Sequence, residues 1–237
     1  MNSQTVESTL KDYLLNGVVK EIFFAEEAKH LAQEIGIHAA KINAQGFGHL
    51  FGSMQVAYSD RQTLCVTKIF DPEDRKYPTR SIPAILNLIE REASSWSFPQ
   101  RQKLEETLAG TPYDASLFGT VSNAELALYV ASHFRDTLPD VGTLSTPKLS
   151  RAIVAVREAR NKVIAHNEAI DQSARTLPTW EEADALVEYA KVFVTVISFG
   201  FLSLYMGRDS RTYLPTGDSF GTSTLLKKLL TAANLGD

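Results

Sequence analysis

The chain has 237 residues, of which 44% are hydrophobic and 22% charged, with a formal net charge of -4. This composition can fill a full core and excludes a disordered chain, and the charge provides no global field to draw in RNA or an anionic membrane. One cysteine, Cys65, excludes an internal disulfide and a multi-cysteine metal site.

The N-terminus has neither a basic start nor an apolar run, so no signal peptide is apparent. Apolar periodicity predicts helices near residues 4–15, 18–44, 47–70, 81–94, 99–109, 122–137, 147–167, 180–206 and 222–233. Three capping boxes open helices in this reading: Ser97 with Gln100, Ser122 with Glu125, and Thr179 with Glu182. Thr146 precedes Pro147, an N-cap before a proline at the first helical position. Residues 192–207 carry no charge over sixteen positions, slightly short for a membrane span, and predict a helix buried on all sides. No membrane span is expected, and the cytoplasm is the default location. Strand signals are nearly absent. The expected fold is all-α: an up-and-down helical bundle with shorter peripheral helices, forming one domain over residues 1–237. Its core spans about residues 18–206, with a C-terminal helix near residues 222–233.

The chemistry concentrates in residues 148–162, where Lys148, Arg151, Arg157, Arg160 and Lys162 face one acid, Glu158. Leu149, Ala152, Ile153, Val156, Val163 and Ile164 recur at helical spacing and define a buried stripe, with Arg160 in its middle. An unpaired buried guanidinium costs several kcal/mol, so Arg160 must meet a carboxylate, a second chain or a phosphate. His166 follows, able to change charge near neutral pH. On the helical wheel Asn161 lies beside Arg157, placed to orient Arg160 or His166, and Arg157 and Lys162 are exposed and suit flanking phosphates.

Arg160, Asn161 and His166 match a signature of an Arg, a polar residue and a His four to six positions further along a late bundle helix. On these residues the chain resembles the HEPN superfamily, helical bundles that are often metal-independent ribonucleases. The string from Arg160 through His166 to Glu168 looks most like its AbiU-type branch, linked to abortive phage infection. The ending Lys68-Ile69-Phe70-Asp71-Pro72 of an earlier helix is similar to that branch too. Glu168 stands where tyrosine-modified members of the superfamily carry a Tyr. The resemblance implies an antiviral toxin or defence effector that uses no cofactor and cleaves RNA. His166 would serve as acid and base, Arg160 would stabilise the phosphate, and Arg151, Arg157 and Lys162 would line the RNA path.

A straight helix would place His166 about 120° round and roughly 9 Å along from Arg160. The site is therefore expected either to end its helix near Ala165 or to be composite across a homodimer. Ala152, Ala155 and Ala159 would form the small-residue strip that admits the neighbouring helix. A cognate antitoxin or a nucleotidyltransferase is a possible partner. Two other readings stay open: a non-catalytic RNA- or nucleotide-binding module, and a metal-binding bundle through His30, Glu34 and His38. Facing argues against the metal, because His30 and Glu34 lie off the predicted buried stripe. His49 and His133 show no partner spacing. Arg61 and Lys68 share a face and would either extend the basic lining or form core ion pairs with Asp71 or Glu73, the second being slightly favoured. Cys65 reads as a buried thiol.

Overall fold

A computed structural model describes residues 3–74, 76, 78–98, 101, 104, 121–137, 147–161, 178–204, 206 and 219–236. Among these residues the structure is helical, with no strand. The elements are α1 (Ser3–Asp12), a π-helical segment (Tyr13–Val19), α2 (Lys20–Ile37), α3 (Ala39–Ala44), α4 (Gly48–Phe70) and α5 (Ile82–Arg91), then α6 (Asn123–Thr137), α7 (Pro147–Glu158), α8 (Trp180–Leu202) and α9 (Ser219–Ala232). The predicted helix over residues 99–109, the first capping box and the N-cap Thr146 lie wholly or partly outside the described residues.

Local rules placed two helix starts well. Ser122 Oγ accepts from Glu125 N at 3.2 Å while Glu125 Oε2 accepts from Ser122 N at 2.7 Å. Thr179 and Glu182 make the same reciprocal pair at 3.2 and 2.9 Å, which fixes the start of α8. That helix ends at Leu202, earlier than periodicity predicts, because Ser203 turns into the left-handed region at φ 52°.

The first two predicted helices are instead one helical run from Ser3 to Ile37. Asn16-Gly17 looked like a break, yet the run absorbs it as the π segment. The reason lies far along the chain: a Cβ at Gly17 would overlap the Cβ and carbonyl of Arg80, so the bare glycine admits that backbone. The run then stops at His38 (φ -99°, ψ 8°), which separates α3 from α2.

The main core joins α1, α2, α4, α5, α6, α7 and α8. Phe70, Phe193 and Phe201 are among its largest fully buried side chains. Phe134 meets Phe193 edge-on at 4.9 Å, and Trp96 meets Phe201 at 5.2 Å. A smaller cluster of Ile35, Ile42, Phe51, Leu230 and Leu235 sits where α9 packs on α2. Among the described residues one helix, Trp180–Leu202, is long and apolar enough to cross a membrane; about half of its apolar window (56%) is buried inside the bundle, and Val192 is 41% exposed, so the helix is not buried on all sides as expected.

Several sequence expectations change. Ala152, Ala155 and Ala159 are buried inside the chain itself, so this strip is not free to receive a second protomer. Arg61 pairs with Glu27 at 3.0 Å and Lys68 with Glu21 at 3.4 Å, not with Asp71 or Glu73. Arg61 also lies over the Phe24 ring at 4.7 Å. Cys65 is buried as expected, and burial pushes its thiol up to about 12. His38 is buried and meets Glu34 Oε1 at 3.0 Å, whereas His30 stacks on Phe220 of α9 at 3.8 Å. The three proposed metal ligands do not converge, and no group of three ligands gathers among the described residues.

Burial also sets a pH response. It holds His30 below the ordinary 6.5, with Lys29 and Lys191 adding to the shift and Glu26 opposing it; His133 is lowered by burial too. A histidine whose folded pKa is depressed favours the fold in its neutral form. Its contribution is present above 6.5 and is lost as pH falls through the folded value. The melting temperature is therefore expected to drop between about pH 7.5 and about pH 5.5, and His30→Phe to remove part of that drop. An identical drop in the variant would contradict this assignment.

Candidate functional site

The site is built where the C-terminal ends of α4 and α7 meet. Ile153 and Val156 anchor α7 in the core, and Ile69 and Phe70 anchor α4. A polar seam then fixes the two helices to each other. Thr67 Oγ donates to Thr63 O at 2.7 Å and lies 3.4 Å from Val156 O. Arg157 Nη2 donates to Phe70 O at 2.8 Å, satisfying an orphan carbonyl at the end of α4. Arg157 was expected on the solvent face; it is half-buried and acts as this inter-helix clasp.

Beyond Glu158 the chain leaves α geometry, and Ala159, Arg160 and Asn161 form a π-type turn. Straight-wheel arithmetic stops applying there, so Arg160 does not continue the buried stripe. Its side chain is 29% exposed and opens on a pocket of about 430 Å³ lined by Asp71, Pro72, Glu73, Asp74, Thr79 and Arg160. Asn161 Oδ1 accepts from Arg160 Nε at 2.9 Å. Asp71 faces the same guanidinium, with Oδ1 and Oδ2 each 2.8 Å from Nη1. Asp71 is itself 22% exposed, so the pair sits at the pocket's edge and is not sealed inside the bundle.

The stretch that carries Asp71 is fastened at several of its described residues. Asp71 leaves α4 in an extended conformation. Glu73 Oε2 accepts from Asn87 Nδ2 on α5 at 2.5 Å, and Thr79 Oγ donates to Pro72 O at 3.3 Å. Arg80, lodged against Gly17, donates from Nε to Asp12 at 2.8 Å. The hydrogen bond from Asn16 and then that from Arg80 hold the Asp12 carboxyl below its ordinary value.

The expected basic lining does not form among the described residues. Arg151 is exposed but pairs with Glu182 at 2.9 Å, Arg157 clasps α4, and Arg160 faces Asp71. Asp71, Glu73 and Asp74 give the pocket mouth an acidic character instead. Lys162 and His166 lie outside the described residues. The structure thus brings Arg160 and Asn161 together on a pocket and adds Asp71, which sequence reasoning had assigned to other cations. One signal for it was present: a carboxylate just past a helix C-terminus opposes the macrodipole and calls for a cation.

Neither the search of curated proteins nor the search of solved structures returned a match. Residues 23–214 match the HEPN_AbiU2 family (AbiU2), a span that runs from α2 past α8 and includes both Asp71 and Arg160. The chain belongs to the HEPN_AbiU2 family.

Proposed function

We propose that this chain is a metal-independent endoribonuclease of HEPN type, acting as an antiviral toxin in abortive infection. Support comes from the pairing of Arg160 with Asn161 at the rim of an open pocket: the first two signature residues operate as one unit on a surface that substrate can reach. Asn161 fixes the guanidinium through Nε without cancelling its charge, which suits a group that must hold a phosphodiester.

RNA brings its own nucleophile in the 2′-hydroxyl. In the proposed reaction His166 removes that proton and the 2′-oxygen attacks phosphorus. The bond to the 5′-oxygen breaks, and that oxygen takes a proton, leaving a 2′,3′-cyclic phosphate and a free 5′-hydroxyl. Arg160 stabilises the charge that gathers on the non-bridging oxygens. Acid and base come from two copies of His166 if the active form is a homodimer with a composite cleft. The alanine strip, buried inside the chain, is not its interface in this fold.

Purified protein is expected to cut labelled RNA in the presence of EDTA, leave cyclic phosphate ends, and lose activity in His166→Ala. Cleavage that needs an added metal, or that survives this substitution, would overturn the reading. The pairing of Arg160 with Asp71 favours a second one: a non-catalytic RNA- or nucleotide-binding module, or the partner of a nucleotidyltransferase. Salt-sensitive RNA retention without cleavage would select it.

A further inference from the structure

We propose that Asp71 is a built-in stand-in for phosphate: it fills the anion site of Arg160 in the resting fold and must be displaced before a phosphodiester can bind. This rests on Arg160 being the phosphate-binding group. A carboxylate and a phosphodiester present paired oxygens to a guanidinium in similar geometry, so the two compete for the same donors. Asp71 places both oxygens 2.8 Å from Nη1.

Asp71 is not needed to position Arg160. Asn161 holds the guanidinium at Nε, and Arg157 fixes α7 on α4 through Phe70 O. What Asp71 adds is a negative charge where the substrate's own charge would go. Glu73 and Asp74 line the same pocket and deepen the repulsion toward a polyanion. The stretch is held in place by Asn87 and by Asp12, so the block belongs to the fold and is not a stray rotamer. Because both partners are partly open to water, the block is modest in strength and can be exchanged.

The test uses the full chain carrying Asp71→Asn, with Asp71→Ser as a second variant. Arginine-specific dicarbonyl labelling of Arg160, read by mass spectrometry, reports the mask whether or not RNA is a substrate. Retention of a 2′-O-methyl RNA oligonucleotide, which lacks the nucleophile, reports binding apart from cleavage. Labelling of Arg160 is expected to run several-fold faster in both variants. Oligonucleotide binding is expected to tighten by roughly 2–5-fold, an exposed pair's worth. The salt slope should steepen by about 0.7, the value of one added single-strand phosphate contact. Unchanged or slower labelling, or weaker binding, overturns the mask and makes Asp71 a positioning carboxylate. Faster labelling with unchanged RNA binding upholds the mask and sinks the RNA reading instead.

Discussion

Arg160→Ala is expected to slow RNA cleavage by about 10²–10³-fold, the usual loss when one preorganised donor to a developing oxyanion is removed. The effect should fall on turnover more than on substrate affinity, because a group already facing Asp71 contributes little to ground-state binding. Stability should change far less. The Arg160–Asp71 pair is partly exposed on both sides, and pairs of that kind contribute roughly 0–1 kcal/mol. Arg160→Lys separates charge from shape. An ammonium keeps the charge but cannot hold Asn161 and an anion at once through a planar fork, so it should rescue only a minor part of the rate. Matching losses of rate and thermal stability would reduce Arg160 to a structural residue, and full activity in Arg160→Lys would show that geometry is not what it supplies.

How much of this was legible depended on whether the determinant was local. The reciprocal caps at Ser122 and Thr179 involve neighbours three residues apart, and both form as the spacing predicts. The apolar side of α7 is equally local, so Leu149, Ala152, Ile153 and Val156 fall on the core side. Arg160 was legible as a group in need of an anion, but not which anion. Asp71 was read as a partner for Arg61 or Lys68; α4 instead turns Lys68 toward Glu21 while its end delivers Asp71 to α7. Asp71 of the first family-like segment and Arg160 of the second meet across this junction. Periodicity failed for a different reason at the π-type turn. A wheel assumes a constant step per residue, and nothing in Ala159-Arg160-Asn161 announces that the step changes. The alanine strip shows the same limit: small residues signal close helix approach, but not whether the approaching helix belongs to the same chain.

Gly17→Ala tests whether the fold holds the Asp71 stretch in place from a distance. Local propensity favours the substitution, since alanine in a helix interior gains about 0.8–1.0 kcal/mol over glycine. Packing opposes it. The new Cβ would fall within contact distance of Arg80 Cβ and the Arg80 carbonyl, and the obstruction at backbone cannot rotate away as a side-chain tip could. Overpacking of this kind costs typically 1–3 kcal/mol, and the rigid backbone on one side argues for the upper half. The clash therefore outweighs propensity, and a net loss of roughly 1–2 kcal/mol is expected, read as a lower denaturation midpoint. The displaced segment is the one that begins at Asp71 and is tied down by Arg80 on Asp12 and by Glu73 on Asn87. Gly17→Ala should consequently loosen Asp71 from Arg160 and speed dicarbonyl labelling there. Gly17 and Asp12 lie outside the span that matches the family, so this restraint belongs to the chain's own N-terminal helix. Asp12→Ala removes the same anchor without any steric insult and should speed labelling with a smaller loss of stability, because that carboxylate is exposed. A stabilised Gly17→Ala protein would show that Arg80 is not seated against the π segment. A destabilised one with unchanged Arg160 labelling would show that the seat and the Asp71–Arg160 pair are uncoupled.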